Sequence, residues 1–304
     1  TLFPYTTLLR SKLSNRQIKQ SLKFSREEKE LFKDFFLKIG SGDPIDFKKA
    51  VHEIEPLEIR KVFNRVYREY RQGIILDALK AQDISWNKAL SPEIRLGCGV
   101  DERVLEFPLA LEILDPHQNY KILDAGAALN VDYLKESIKD AKSKFVHYTL
   151  NSDKEIPLFQ GDKYSYCFGD LCAIDFKDET FDRVICISTI EHIGMDNERY
   201  GVAQGQKGKE AYLQAVREMF RVLKKDGKMM LSFPFGGKEA QDRGWYRIFN
   251  WEDLQNIVRS IPSAGLQEKY YIYQKYWREV AKNDFDQVAQ QDHSSAVTAL
   301  LFSK

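Results

Sequence analysis

From about Gly97 onward the chain alternates short apolar runs with amphipathic stretches, and this constrains the fold more than any other feature of the sequence. Apolar runs predict strands over Tyr120–Ala125, Phe145–Leu150, Tyr164–Phe168, Phe181–Ser188 and Lys228–Phe233. Helical periodicity predicts helices over Val131–Lys144, Lys209–Lys224 and Trp251–Ser260 between and after them. In the second of these, Leu213, Val216, Met219, Phe220 and Leu223 share a face, and Lys224, Lys225 and Gly227 read as its C-terminal signature. Strands separated by helices need crossover connections. The expected fold class is therefore α/β, a doubly wound, mostly parallel, seven-stranded sheet whose ligand sits at the carboxyl ends of the strands. Two further strands, near Glu268–Tyr273 and Ala296–Phe302, lack a clear helix between them and predict an antiparallel pair at the sheet edge.

Before this region the texture is helical. Ser25 and Glu28 form a capping box ahead of a stripe of Leu31, Phe32, Phe35, Phe36 and Ile39 that ends at Gly40. A second stripe runs through Leu57, Ile59, Val62, Phe63, Val66, Tyr67 and Tyr70, with a break expected at Gly73 before Ile74, Ile75 and Leu79. The expected organisation is an N-terminal helical region over 12–95, suited by its aromatic stripe to act as a lid, and a catalytic domain over 96–304. The first eleven residues, TLFPYTTLLRS, follow neither period and match the translated sequencing adapter TLFPYTTLFRS at ten of eleven positions. They are expected to be an assembly scar and are set aside.

Apolar residues make up 43% of the chain, enough for a core, and 46 basic against 45 acidic residues leave a net charge of +1 with no blocks of one sign. Such a chain attracts neither nucleic acid nor anionic membrane by its field, so a small-molecule partner is expected. No apolar run reaches the roughly 18 residues of a membrane span. Cys98, Cys167, Cys172 and Cys186 lack CxxC pairing and read as reduced thiols of a cytoplasmic protein. The five histidines lack metal-ligand spacing, so no metal is expected.

The loop after the first strand reads ILDAGAALN, Ile122–Asn130. A dinucleotide site wants G-x-G-x-x-G there, so that bare backbone can approach a pyrophosphate, and only Gly126 is present. A cofactor without a pyrophosphate relaxes that demand, and S-adenosylmethionine is one. The segments GDLCAIDFKDETFDRVICISTIEHIG, Gly169–Gly194, and RVLKKDGKMMLSFPFG, Arg221–Gly236, follow in order. Together with Asp124–Gly126 they resemble the motifs of class I S-adenosylmethionine-dependent methyltransferases. RVLEFPLAL from Arg103, STIEHIG, and RYG at Arg199–Gly201 are similar to bacterial methyltransferases found with surface-polysaccharide and O-antigen genes.

The resemblance implies a Rossmann-like methyltransferase fold and a set of roles. Asp124, Ala125 and Gly126 would shape the turn at the methionine end of the cofactor. Asp170 would accept from the adenine amino group, with the backbone of Leu171 at the ring edge. Ile190, Glu191 and His192 would lie beside the sulfonium and the nucleophile, with His192 as general base for a hydroxyl acceptor and Glu191 either acting chemically or bonding the first-motif backbone. Family members commonly carry more glycine in the first motif and an acid after the second strand. Here that strand reads FVHYTLN, and Asn151 and Asp153 are the nearest candidates for the ribose. Arg199, Tyr200, Arg243, Trp245 and Tyr246 lie in two polar loops, Gly194–Lys209 and Gly236–Asn250, and suit a sugar through stacking and guanidinium bonds. Sugar or small-molecule O-methylation is expected, with N-methylation or a non-catalytic binding module as alternatives. The run EKYYIYQKYW, Glu268–Trp277, is either an edge strand that pairs with another subunit in a homo-oligomer or a packed edge.

Overall fold

Burial follows the apolar runs. In the computed structural model, β1 (Lys121–Ala125), β2 (Lys144–Thr149), β3 (Tyr164–Phe168), β4 (Phe181–Ile187) and β5 (Leu223–Pro234) occupy the expected places. The structure describes residues 68–69, 71–79, 97, 100–150, 156–196, 198, 208, 210–238, 241–242, 244–274, 276–289 and 296–304. β1 pairs in parallel with β2 and β4, β2 with β3, and β4 with β5. All carboxyl ends of these five strands therefore lie on one edge of the sheet. Ile122, Leu123, Val184, Ile185, Cys186, Ile187, Met229, Met230 and Leu231 are fully buried, as strands covered on both faces must be.

The remaining strands close the sheet differently from the expectation. β6 (Gln241–Asp242) and β7 (Arg247–Ile248) form a separate hairpin, within what reads in the sequence as a loop. β8 (Gly265–Tyr273), β9 (Trp277–Val280) and β10 (Ala296–Ser303) complete an order of β3-β2-β1-β4-β5-β10-β8-β9. β10 does run antiparallel to β8, but it lies inside the sheet, paired with β5 on its other side. Consequently Glu268–Tyr273 is not an edge, and an eighth strand lies beyond the seven. The reason is long-range: β10 reads AVTALLFS and is buried along most of its length, which an interior slot provides and an open edge does not.

α1 (Arg103–Leu114) precedes β1, and its Phe107, Leu109, Ala110 and Leu114 are buried. The helix expected over Val131–Lys144 shrinks to a 3₁₀ turn, Asp132–Leu134, and α2 (Lys135–Ile138). The Lys142 and Ser143 amides donate to the Pro116 carbonyl and the Ser143 hydroxyl to that of Gln118, which turns the chain early into β2. α3 (Ala211–Val222) buries Leu213, Val216, Met219 and Phe220 as its period requires. It ends sooner than its basic tail suggests, because Leu223 is already extended. The Lys304 ammonium donates to the carbonyls of Phe220 and Leu223, filling the C-terminal role expected of Lys224, Lys225 and Gly227. α4 (Trp251–Arg259) begins at a reciprocal capping box between Asn250 and Asp253, and α5 (Phe285–Ala289) follows β9.

Asp182 fastens the entrance of β4. Its carboxylate accepts from the Lys121 amide and the Lys224 ammonium, each at 2.8 Å. Burial works against its charge, but these donors outweigh it and hold the carboxyl below the usual range.

By contact the chain divides into two units, residues 1–104 with 274–278 and residues 105–273 with 279–304. Within the first, residues 71–79 are helical straight through Gly73, so the expected break is absent. The Trp277 indole donates to the Val100 carbonyl, and Arg71 pairs with Asp101 at 2.7 Å. The adapter-like segment, the two capping and aromatic stripes before residue 68, and Cys98 lie outside the described residues.

Candidate active site

The turn after β1 is held by its own carboxylate. Asp124 is fully buried; its Oδ2 accepts from the Leu129 amide at 2.9 Å and from His147 Nδ1 at 2.8 Å, and its carbonyl accepts from the Ala127 amide. Gly126 has φ +97° and donates its amide to the Tyr148 carbonyl of β2. A Cβ at Gly126 would overlap the side chain of Thr189, so this position needs glycine for space as well as for backbone. Ala127 follows in the left-handed region at φ +54°, where the resemblance expects freer residues. Asp124 and Gly126 thus fix the turn after β1, with Ala125 buried between them.

After β3, Gly169 donates its amide to the Thr149 carbonyl, and a Cβ there would overlap the Tyr148 phenol. The sequence singled out Asp170 but gave no reason for the glycine before it; this phenol is the reason. Asp170 Oδ1 accepts from the Cys172 amide at 2.8 Å and its carbonyl from Ala173, fixing the loop that presents the buried Leu171. The Cys172 thiol is pushed up to about 12 by burial and then by the Asp170 charge, which keeps it inert. Asn151 and Asp153, the ribose candidates, lie outside the described residues.

The end of β4 is locally distorted. Ser188 has φ +40°, its amide bonds the Ser232 carbonyl, and its hydroxyl donates to Glu106 Oε1 at 2.7 Å. The Ser232 hydroxyl donates to the same oxygen at 2.8 Å. Glu106 is buried on α1, inside the RVLEFPLAL run; an acid amid apolar residues was the signal for it. A 3₁₀ turn, Ile190–His192, follows, with Ile190 and Glu191 buried. His192 Nδ1 lies 2.8 Å from the Trp245 carbonyl, and its ring stacks on the Trp245 indole at 5.4 Å with Tyr246 tilted alongside at 6.3 Å. A carbonyl only accepts, so Nδ1 carries the proton and the neutral ring has its lone pair on Nε2, 3.9 Å from Glu191 Oε1.

The structure therefore gathers His192, Glu191, Ile190, Trp245 and Tyr246 at the β4 end, while Arg199, Tyr200 and Arg243 lie outside the described residues. Sequence reasoning missed Arg247, whose guanidinium lies over the Tyr212 ring at 4.8 Å and reaches Met195 Sδ at 3.6 Å. It also missed His147 and Asn130 beside the first turn. The residues fit the implied cofactor: a glycine-dependent turn, a carboxylate loop after β3 and the β4 end converge on one sheet edge, and Asp124 Oδ1 is buried without a hydrogen bond among the described residues. Among the described residues no group of His, Cys, Asp and Glu could hold a metal ion, and no helix is long and apolar enough to cross a membrane.

Residues 117–231, which span β1 to most of β5, match the family model described as a methyltransferase domain. This part of the chain has the Rossmann-like fold of a methyltransferase domain. An uncharacterized protein of Methanocaldococcus jannaschii is 27% identical over 132 residues, 43% of this chain and 48% of its own length. The chain thus spans about half the length of that curated relative. Among solved structures, the [4+2]-cyclase SpnF is 13% identical with a TM-score of 0.45, covering 64% of this chain and 78% of that one. The 1,6-didemethyltoxoflavin-N1-methyltransferase of Burkholderia thailandensis, solved with 1,6-didemethyltoxoflavin and S-adenosylhomocysteine, is 12% identical with a TM-score of 0.41, covering 79% and 90%.

Proposed function

We propose that this chain transfers a methyl group from S-adenosylmethionine to a hydroxyl of a small hydroxylated acceptor, with a sugar as the best fit. The observation that carries this reading is His192. It joins, at the end of β4, a ring with its basic lone pair on Nε2 to an aromatic platform of Trp245 and Tyr246. Aromatic faces stack on the apolar face of a sugar, and a hydroxyl nucleophile must lose a proton that an imidazole can take near neutral pH.

S-adenosylmethionine, when bound, supplies a methyl group already activated on a sulfonium. Asp124 and Gly126 hold the turn for its methionine end, Asp170 and the backbone of Leu171 hold the adenine, and Asn151 serves the ribose. The chain's own work is mainly alignment and exclusion of water. His192 Nε2 accepts the acceptor's proton, and the Glu191 carboxylate 3.9 Å away favours the imidazolium that results. The Trp245 carbonyl keeps the ring in the tautomer that can do this.

Calorimetric titration of S-adenosylmethionine into wild type and Asp170→Ala tests the cofactor half. Micromolar binding that the substitution weakens about tenfold, about 1.4 kcal/mol, is expected. Acceptors are then screened by mass spectrometry, nucleotide sugars first. A folded wild type that binds no S-adenosylmethionine sinks the reading, and methylation confined to amines sinks its acceptor half.

A further inference from the structure

The first motif lacks the glycines its family resemblance expects, and the residues that replace them do not leave the turn slack. Asn130, at the end of that turn, donates from Nδ2 to the Ile156 carbonyl at 2.8 Å. Its Oδ1 accepts from the Leu158 amide at 3.1 Å and from the Tyr166 hydroxyl at 2.9 Å. The Tyr166 oxygen in turn accepts from the Phe159 amide at 3.0 Å. One side chain thus ties the β1 turn to the segment that returns from β2, and a glycine at 130 would make none of these bonds.

The other end of the turn has a matching support. Asp124, His147 and Tyr166 lie in register across β1, β2 and β3. His147 is fully buried, its ring stacked with those of Phe159 at 5.8 Å and Tyr166 at 5.0 Å, and its Nδ1 meets Asp124 Oδ2 at 2.8 Å. That oxygen also accepts from the Leu129 amide, so Nδ1 is the donor, and it fixes the carboxylate that closes the turn. Buried hydrogen bonds are directional, so this pair and the Leu129 amide specify one geometry where backbone freedom would allow several.

We propose that Asn130 and His147 are positioning residues for the cofactor, replacing with side-chain hydrogen bonds the shaping that a glycine-rich loop obtains from its backbone. The proposal rests on the cofactor reading above. It predicts that adding a glycine to the turn at position 130 does harm.

S-adenosylmethionine affinity and thermal stability are measured side by side for wild type, Asn130→Gly, Tyr166→Phe, His147→Phe and His147→Asn. Asn130→Gly is expected to weaken binding about tenfold or more. Tyr166→Phe keeps the ring and loses the hydroxyl's bonds to Asn130 and Phe159, and is expected to weaken it about threefold. His147→Phe keeps the ring stack and loses the donor, so affinity falls about tenfold with little change in Tm. His147→Asn places an amide donor near the Nδ1 position but empties the stack, so Tm falls while affinity stays within about threefold. A purely structural role predicts the reverse pattern, with affinity following Tm. If wild type binds and Asn130→Gly binds as well or better, the proposal is overturned while the cofactor reading stands. A folded wild type that does not bind overturns both. Should either His147 variant fail to fold, Asn130→Gly and Tyr166→Phe decide alone, and unchanged affinity in the two overturns the proposal.

Discussion

The turn after β1 and the turn after β4 sit on the same sheet edge and are held by different physics. Around the first, Asp124, His147 and Asn130 are buried; Asp124 bonds His147 and the Leu129 amide, and Asn130 bonds the backbone of Ile156 and Leu158 and the Tyr166 hydroxyl. Around the second, His192, Trp245 and Tyr246 are half-buried, with their rings stacked or tilted against one another and His192 Nδ1 on the Trp245 carbonyl. Buried hydrogen bonds are directional and costly to leave unmade, whereas ring contacts tolerate sliding. The difference suits a domain that keeps one cofactor and can change its acceptor. At the second turn the buried Glu106 carboxylate adds directional bonds of its own, accepting from the Ser188 and Ser232 hydroxyls.

The contrast can be broken by substitution, and the largest effect is expected at the β4 turn. His192→Ala should lower kcat on a hydroxyl acceptor roughly 10²- to 10⁴-fold and leave S-adenosylmethionine affinity within a factor of about two; equal losses in both would mean that the two turns act as one. Next is Gly126→Ala, which adds left-handed strain to overlap with Thr189. A cost of about 2–4 kcal/mol is expected in denaturant unfolding, with cofactor affinity falling in parallel. Asp182→Asn, far from either turn, should cost about 1 kcal/mol at pH 7. Because its folded pKa is lowered, that stability is complete above the unfolded carboxylate value near pH 4 and is lost as pH falls through the folded value, so the variant and wild type should converge in acid. Least is Trp245→Ala, about 1 kcal/mol, read as a several-fold rise in acceptor KM; an unchanged KM would remove the platform from the acceptor site.

Much of this was legible from periodicity. β1, β4 and the buried face of α3 follow the apolar pattern almost residue for residue, because a strand covered on both faces has little choice of side chain, while the edge strand β3 keeps its expected bounds without a buried residue. Asp124, Gly126 and Asp170 were legible from the motifs, and the structure gives their turn geometry. Long-range decisions were not legible. Nothing local tells β10 to enter between β5 and β8, and nothing in VDYLKESIKDAKS shows that Pro116 will take two amides and end the helix early. His147 read as one residue of an apolar strand, and its partner is 23 positions away in sequence. The β6–β7 hairpin was hidden because each strand is two residues long.

β10 also sets an order of events during synthesis. β5 and β8 each need it as a neighbour, yet it is made after both, and the segment between β8 and β10 must emerge before either can pair with it. Until then, the growing chain presents the apolar edge MMLSF of β5 and the run YYIY of β8 unpaired. Unpaired strand edges recruit other strands. A ribosome stalled before residue 296 would therefore hold the β1–β5 half in a state that is near its final order on one side and adhesive on the other, and chaperone demand should peak in that interval.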